Sequence, residues 1–392
     1  MIIGVDATCW WNNRGFGRFT RELLNAMFRL EREHTFHLFS DQQIAGLGEF
    51  ANVKQTLVRT SRPTIEAAVS DSRRSPFDML RMTRAVAREQ LDIMFFPAVY
   101  SWFPVPPRLP TMLTVMDAIA EHYPELIFPS RRSRFFWALK MRGALWNSDR
   151  VLTISQAAKQ EIATYIGVDP LSIDVCSCAP NPGFMQLTEA NLLSDVRLRA
   201  NLPPEIPVIV YVGGMAPHKN LLGLLEGFEQ ALQSGRMREA HLALVGDFAG
   251  AGFHSNHASL VQRVNGSPLL KERVHFTGYL SDADLVALYS TARAAAMPSY
   301  SEGFGLPAIE AMACGTPVLS STLGSLPEVV GDAGLYFDPF DCNAISDAIL
   351  RIVNDDELCD SLSRKSIARA REFTWERAAV MALDHLEKLP RS

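Results

Sequence analysis

Glu302 and Glu310 lie eight positions apart in EGFGLPAIEAMACGTPV (302–318), separated by a glycine-rich turn and a proline. Gly303 and Gly305 let the backbone come close to a ligand, and Pro307 suits the first turn of a helix, where a missing N–H costs nothing. A helix beginning near Leu306 leaves the amides of Phe304, Gly305 and Leu306 free at the positive end of its dipole. That is an anion site suited to phosphate. Two carboxylates beside a phosphate oppose its binding unless they grip other parts of the same ligand. Glu310, one turn into the helix, leans back toward the N-terminus and can accept from the paired hydroxyls of a ribose. Glu302, before the turn, faces the other end, where a sugar offers more hydroxyls. The plain alternative is a strand–loop–helix with a capping glutamate.

A second element points to the same ligand. VYVGGMAPHKNLLGLLEGF (210–228) reads as a strand, Gly213-Gly214, then His218 and Lys219 at the start of a helix. A lysine there places a point charge on a diphosphate. In the first half, NNRGFGRF (12–19) also follows a strand and opens a helix, but it lacks the third glycine of a dinucleotide fingerprint. It reads as a cleft wall, with Trp10 and Trp11 beside it as either core or a stacking surface for an acceptor sugar. No D-x-D occurs in a plausible loop and no His/Asp cluster has ligand spacing, so the expectation is no metal and no cofactor. Lys219 and the helix N-termini supply the positive field instead.

These groups need a frame that brings loop ends together. Short apolar runs (IIGVD, HTFHLFS, LDIMFFP, TMLTVMD, RVLTIS, then PVIVYVGG, HLALVGD, RVHFTG, AAAMPS, TPVLSS, GLYFDP) alternate with helical patterns. That alternation predicts parallel sheets covered on both faces, with ligands at the carboxyl ends of the strands. A chain of 392 residues exceeds one ordinary core. The expected organisation is an N-terminal Rossmann-like domain over 1–184, a linker over 185–206, a second Rossmann-like domain over 207–373, and a helix over 374–392 that crosses back to the first domain.

Charge is uneven: 20 lysines and arginines against 15 acids in residues 1–150, and 18 against 28 in the remainder. No apolar run reaches the roughly 18 residues of a membrane span, and the N-terminus does not read as a signal peptide. Of six cysteines only Cys176 and Cys178 are close, and they read as buried thiols on one face of a strand in a reducing, cytoplasmic protein. RRSRFFWALKMRGALW (131–146) carries five basic residues and no acid, with Phe135, Phe136, Leu139, Gly143 and Trp146 along one face. It reads as a core helix with a solvated charged side, or as a peripheral contact with the inner face of an anionic membrane. Nothing calls for a nucleic acid.

The second half resembles the retaining glycosyltransferases of family 4, which have the two-domain GT-B fold. GGMAPHKNLLGLLEGF, LALVGD, VHFTGYLSDADLVALYSTARAAAMPSYSEGFGLPAIEAMACGTPVLSS and SLPEVVGDAGLYFDP carry the likeness. The E-x7-E pair in EGFGLPAIE is its most specific part. RGFGRFTRELLNAM, TVMDAIAEHYPE and LTISQAAKQEI extend it, in order, through the first half. The resemblance implies an α/β, GT-B architecture of two doubly wound Rossmann-like domains with an interdomain cleft, the first binding the acceptor and the second the nucleotide sugar. It also implies retaining transfer of a hexose from a nucleotide-diphosphate sugar to a hydroxyl of a saccharide or lipid-linked saccharide, in glycan biosynthesis. Likeness to mannosyl-transferring relatives favours GDP-mannose. Carried over residue by residue, Lys219 neutralises the diphosphate, Glu310 holds the ribose, and Glu302 with the Phe304–Leu306 amides holds the sugar and distal phosphate. Tyr279 and Leu280 border the base, and Gly15 and Gly17 approach the diphosphate from the other domain. Glu302, Asp117 and Lys219 are the expected catalytic groups. Two positions depart from the pattern. His218 replaces an arginine, with a charge expected to follow pH, and Met116 stands where relatives have a histidine before Asp117. Met116 keeps open a non-catalytic sugar-nucleotide sensor, and the architecture itself a nucleotide-sugar 2-epimerase.

Overall fold

The computed structural model describes residues 1–12, 15–30, 32–64, 75–246 and 255–389. The chain forms two α/β units: Met1–Cys178 with the segment from Thr374 onward, and Ala179–Gly250 with His254–Phe373. Among the described residues no helix is long and apolar enough to cross a membrane.

The first unit holds β1 (Ile2–Asp6), β2 (Thr35–Ser40), β3 (Val53–Leu57), β4 (Ile93–Phe96), β5 (Thr111–Thr114), β6 (Arg150–Thr153) and β7 (Ile173–Val175), in the order β3-β2-β1-β4-β5-β6-β7. All pairs are parallel. Its central strands β4 and β5 are buried at every residue, as helices on both faces require. The edge strands β3 (VKQTL) and β7 (IDV) carry too few apolar residues to stand out in the sequence. Cys176 and Cys178 follow β7 rather than sit in it. Both are buried and free, and burial pushes the Cys176 thiol up to about 12.

The helix Trp375–Glu387 is part of this first unit. Trp375 meets Phe19 edge-on at 6.1 Å, and Cys176 Sγ donates to Ala378 O at 3.2 Å. Arg32 pairs with Asp384 at 2.8 Å and Glu387 at 3.0 Å. The helix Arg131–Trp146, capped by Ser130, buries Met141 and Ala144 and exposes Phe135, Phe136, Leu139 and Trp146, the last 85% exposed. Gly143, expected on that apolar face, instead sits under the Trp102 ring, where a Cβ would lie 3.2 Å from it.

The second unit holds β8 (Val208–Val212), β9 (His241–Val245), β10 (Val274–Gly278), β11 (Ala294–Met297), β12 (Val318–Ser321) and β13 (Gly334–Phe337), in the order β10-β9-β8-β11-β12-β13, all parallel. Helices Leu221–Gln233 and Cys342–Asn354 lie so close that a Cβ on Gly227 would sit 2.6 Å from Ile345. The stretch 185–206, expected as a linker, contains the helix Ala190–Arg199, and Val196, Ala200 and Leu202 join the core of this unit. Its prolines (203, 204) obscured the helix beside them. Arg197 fastens the segment by donating to the carbonyls of Pro203, Ile206 and Thr291.

Candidate active site

In each sheet the strand order reverses once, between β1 and β4 and between β8 and β11. Loops leaving the carboxyl ends of such a strand pair diverge to opposite faces and open a crevice. In the second unit these are the loops 213–220 and 298–305. Gly213 leads from β8 to a 3-10 turn at Pro217–Lys219. Asn220, left-handed at φ 54°, then starts the helix Leu221–Gln233. Lys219 therefore stands before the helix, not on its first turn as expected.

The two loops are stitched together. Tyr300 N–H donates to His218 O at 2.9 Å. Lys219 Nζ donates to Glu302 Oε1 at 2.7 Å, and Ser299 Oγ donates to the same oxygen at 2.7 Å. Burial pushes the Glu302 carboxyl up, but the Lys219 ammonium and the Ser299 hydroxyl outweigh it and hold the group below the usual carboxylate range. His218 behaves otherwise than expected. Burial, then the adjacent Lys219 charge, pushes it down to about 3, well below the ordinary histidine range. Among the described residues its Nδ1 is buried without a hydrogen-bond partner.

The helix Leu306–Ala313 begins at Gly305, whose φ of +91° only glycine adopts readily. A Cβ there would also lie 2.9 Å from Leu326. Phe304 turns its ring into the interior, edge-on to Phe373 at 5.7 Å, so it offers only its backbone. Glu310 sits in this helix at 4% exposure. Tyr279 stands 72% exposed after β10, while Leu280 packs on the core.

Several positions escaped the sequence reading. A Cβ on Gly324 (φ +61°) would lie 2.8 Å from Glu302 N, and Ser325 N–H donates to Glu302 O at 3.2 Å. The loop after β12 thus clamps the backbone of Glu302 from its far side. Gly246 and Gly278 end β9 and β10 as Gly213 ends β8. A Cβ on Gly246 would collide with the Gly213 carbonyl, and Gly246 N–H donates to Gly278 O at 3.0 Å. Three neighbouring strands therefore end on bare backbone. The available signal was a glycine straight after each apolar run.

The first unit holds the remaining expected residues. Gly15 is exposed at the start of the helix Gly15–Arg29; Asn13 and Arg14 lie outside the described residues. A Cβ on Gly17 would collide with the Asn12 carbonyl, so local packing already demands that glycine. Arg21 ties down the same loop by donating to Trp10 O at 2.6 Å and Asn12 O at 2.8 Å. Asp117 accepts from Ile119 N–H at 3.1 Å. Met116 is buried. His122 is stacked between Tyr123 and Tyr165, both at 4.0 Å, with Nε2 2.8 Å from the Tyr165 hydroxyl; burial lowers its pKa.

A double parallel α/β fold with a lysine–glutamate pair at one reversal point is the frame of a sugar-transferring enzyme. The glycosyl transferases group 1 profile matches residues 196–369, and that of glycosyltransferase family 4 matches residues 13–182. O-antigen chain mannosyltransferase B of Escherichia coli is 30% identical over 282 residues, 72% of this chain and 71% of that protein. The chain belongs to the group 1/family 4 glycosyltransferases. Solved structures agree on the GT-B fold. Sucrose-phosphate synthase from Thermosynechococcus elongatus aligns over 99% of this chain and 98% of its own, with a TM-score of 0.74 at 20% identity. HepE from Anabaena, solved with UDP-glucose, aligns over 99% of each chain with a TM-score of 0.73 at 16% identity.

Proposed function

We propose that this glycosyltransferase moves a hexose, with retention and without a metal ion, from a nucleotide-diphosphate sugar to a hydroxyl of a saccharide or lipid-linked saccharide. The Lys219–Glu302 pair at the second reversal point carries the reading. Breaking the bond between sugar and phosphate leaves charge on the pyrophosphate, and a preplaced ammonium stabilises that charge without reorganising. A diphosphate entering the loop 213–220 takes Lys219 as its counter-ion. Glu302 then turns its hydrogen-bonding capacity to the sugar hydroxyls, with Ser299 still orienting it. The amides of Gly305 and Leu306 face the distal phosphate, and Glu310 the ribose. The leaving phosphate oxygen accepts the acceptor's proton on the same face, a route that needs no histidine at position 116. Asp117 orients the acceptor hydroxyl. The mannosyl-transferring relative favours GDP-mannose.

The exposed Phe135, Leu139 and Trp146, beside Arg131, Arg132 and Arg142 on one helix, support contact with an anionic bilayer and so a lipid-linked acceptor. The deciding experiment has two parts. A melting panel with GDP, UDP, ADP and their sugars identifies the donor, since a tight ligand raises the midpoint. NMR of the product anomer, with and without EDTA, then tests retention and metal independence. An inverted anomer, or activity abolished by EDTA and restored by a divalent ion, overturns the corresponding part.

A further inference from the structure

The loop that carries Glu302 also holds Tyr300, which stacks on Phe340 in the turn after β13, and this aromatic pair has no part in the scheme above. Tyr300 and Phe340 stack face to face, ring centroids 4.8 Å apart and 12° between planes, and Phe340 is 66% exposed. Both are anchored to the lysine-bearing loop through main chain. Tyr300 N–H bonds His218 O at 2.9 Å, and the buried Asn220 Nδ2 donates to Pro339 O at 2.7 Å. Tyr300 lies between Ser299 and Glu302 in the chain, next to the hydroxyl that donates to the carboxylate. Asp338 accepts from Phe340 N–H at 2.9 Å and Asp341 accepts from Asn343 N–H at 2.8 Å, which fixes the turn that presents the ring. A phenyl ring held in place yet left in water forgoes the stabilisation of burial.

We infer that Tyr300 and Phe340 form a stacking platform for a pyranose ring, resting on the donor-site reading above. A pyranose shows one face of C–H bonds, which suits the electron-rich face of an aromatic ring. Its equatorial hydroxyls project sideways, toward acceptors such as the Asp338 and Asp341 carboxylates. The pyranose is either the sugar being transferred or the terminal sugar of the acceptor.

Phe340→Ala and Phe340→Trp separate these cases, with GDP, UDP, GDP-mannose and UDP-glucose titrated against each and methyl α-mannoside as the soluble saccharide. Phe340→Ala is expected to leave nucleotide-diphosphate affinity within about twofold while weakening one sugar ligand by roughly five- to tenfold; Phe340→Trp restores it. Loss confined to the nucleotide sugar assigns the donor hexose. Loss confined to the KM for the saccharide, or to saturation transfer onto its ring protons, assigns the acceptor. Unchanged sugar binding in Phe340→Ala overturns the platform, as does an equal loss for GDP or UDP. Failure of the wild type to bind any nucleotide refutes the donor-site reading instead. The saturation-transfer arm, run without nucleotide, still decides for or against the platform.

Discussion

Both units wind their strands in the same sense, and each turns its order back between the first strand and the fourth. At the first reversal the loop after β1 is held by the chain's own packing, Gly17 against Asn12 and Arg21 on two carbonyls. At the second, the loops meet through a charged pair, and three adjacent strands end on glycine. Topology opens a crevice in either case; the residues at the loop ends decide what it can hold. On the proposed scheme, leaving-group stabilisation belongs to the second unit, and the first contributes surfaces and orientation.

Breaking the charged pair sharpens that contrast most. Lys219→Ala or Glu302→Gln is expected to lower transfer on the order of 100- to 1,000-fold, measured as kcat with saturating donor. Removing one partner of a pair this buried also costs about 3–5 kcal/mol of stability, so a urea melt belongs beside the assay. Gly246→Val comes next. Its side chain would run into Gly213 O, and nucleotide affinity, read by calorimetry, should fall by at least about tenfold through a clash of the kind that destabilises by roughly 1–3 kcal/mol. Asp117→Asn probes the other unit: a kcat loss of about 100-fold with nucleotide affinity unchanged. A loss of nucleotide binding there would erase the division of labour.

The pH response is smaller. Folded His218 stays neutral to about 3, whereas the unfolded chain takes up that proton near the ordinary histidine value, so stability rises with pH across this window and is flat above it. Glu302, held low, adds stability that is present above the ordinary carboxylate value and lost as pH falls through its lowered one. Both weaken the second unit in acid, and His218→Asn should make the acid limb of its urea midpoints shallower. Imidazole NMR should show no His218 titration between about pH 5 and 8. The smallest effect belongs to Phe135→Ser with Trp146→Ser. Transfer to a soluble saccharide stays unchanged, while co-sedimentation with anionic vesicles at low salt is lost.

The sequence made the second unit's frame plain because β8, β9 and β11 are apolar runs with a glycine or proline straight behind them. Its anion site was legible for the same reason, since EGFGLP places two glycines and a proline where a strand turns into a helix. The direct contact between Lys219 and Glu302 was not, because 83 positions separate them in the chain and the pairing of β11 with β8 brings them together. Edge strands β3 and β7 were missed for want of apolar contrast, and the helix Ala190–Arg199 because prolines nearby suggested a linker. Gly324 carries no signal in the sequence; the folded chain shows it lying against the backbone of Glu302.

The helix Trp375–Glu387 completes a unit whose other parts were made some two hundred residues earlier. During synthesis residues 1–178 therefore emerge before the helix that closes their unit, and Phe19 and Arg32 wait for Trp375, Asp384 and Glu387 until the second unit has been made, while that middle stretch can close on itself beforehand. A substitution in Trp375–Glu387 thus acts on the first unit's sheet, far away along the message.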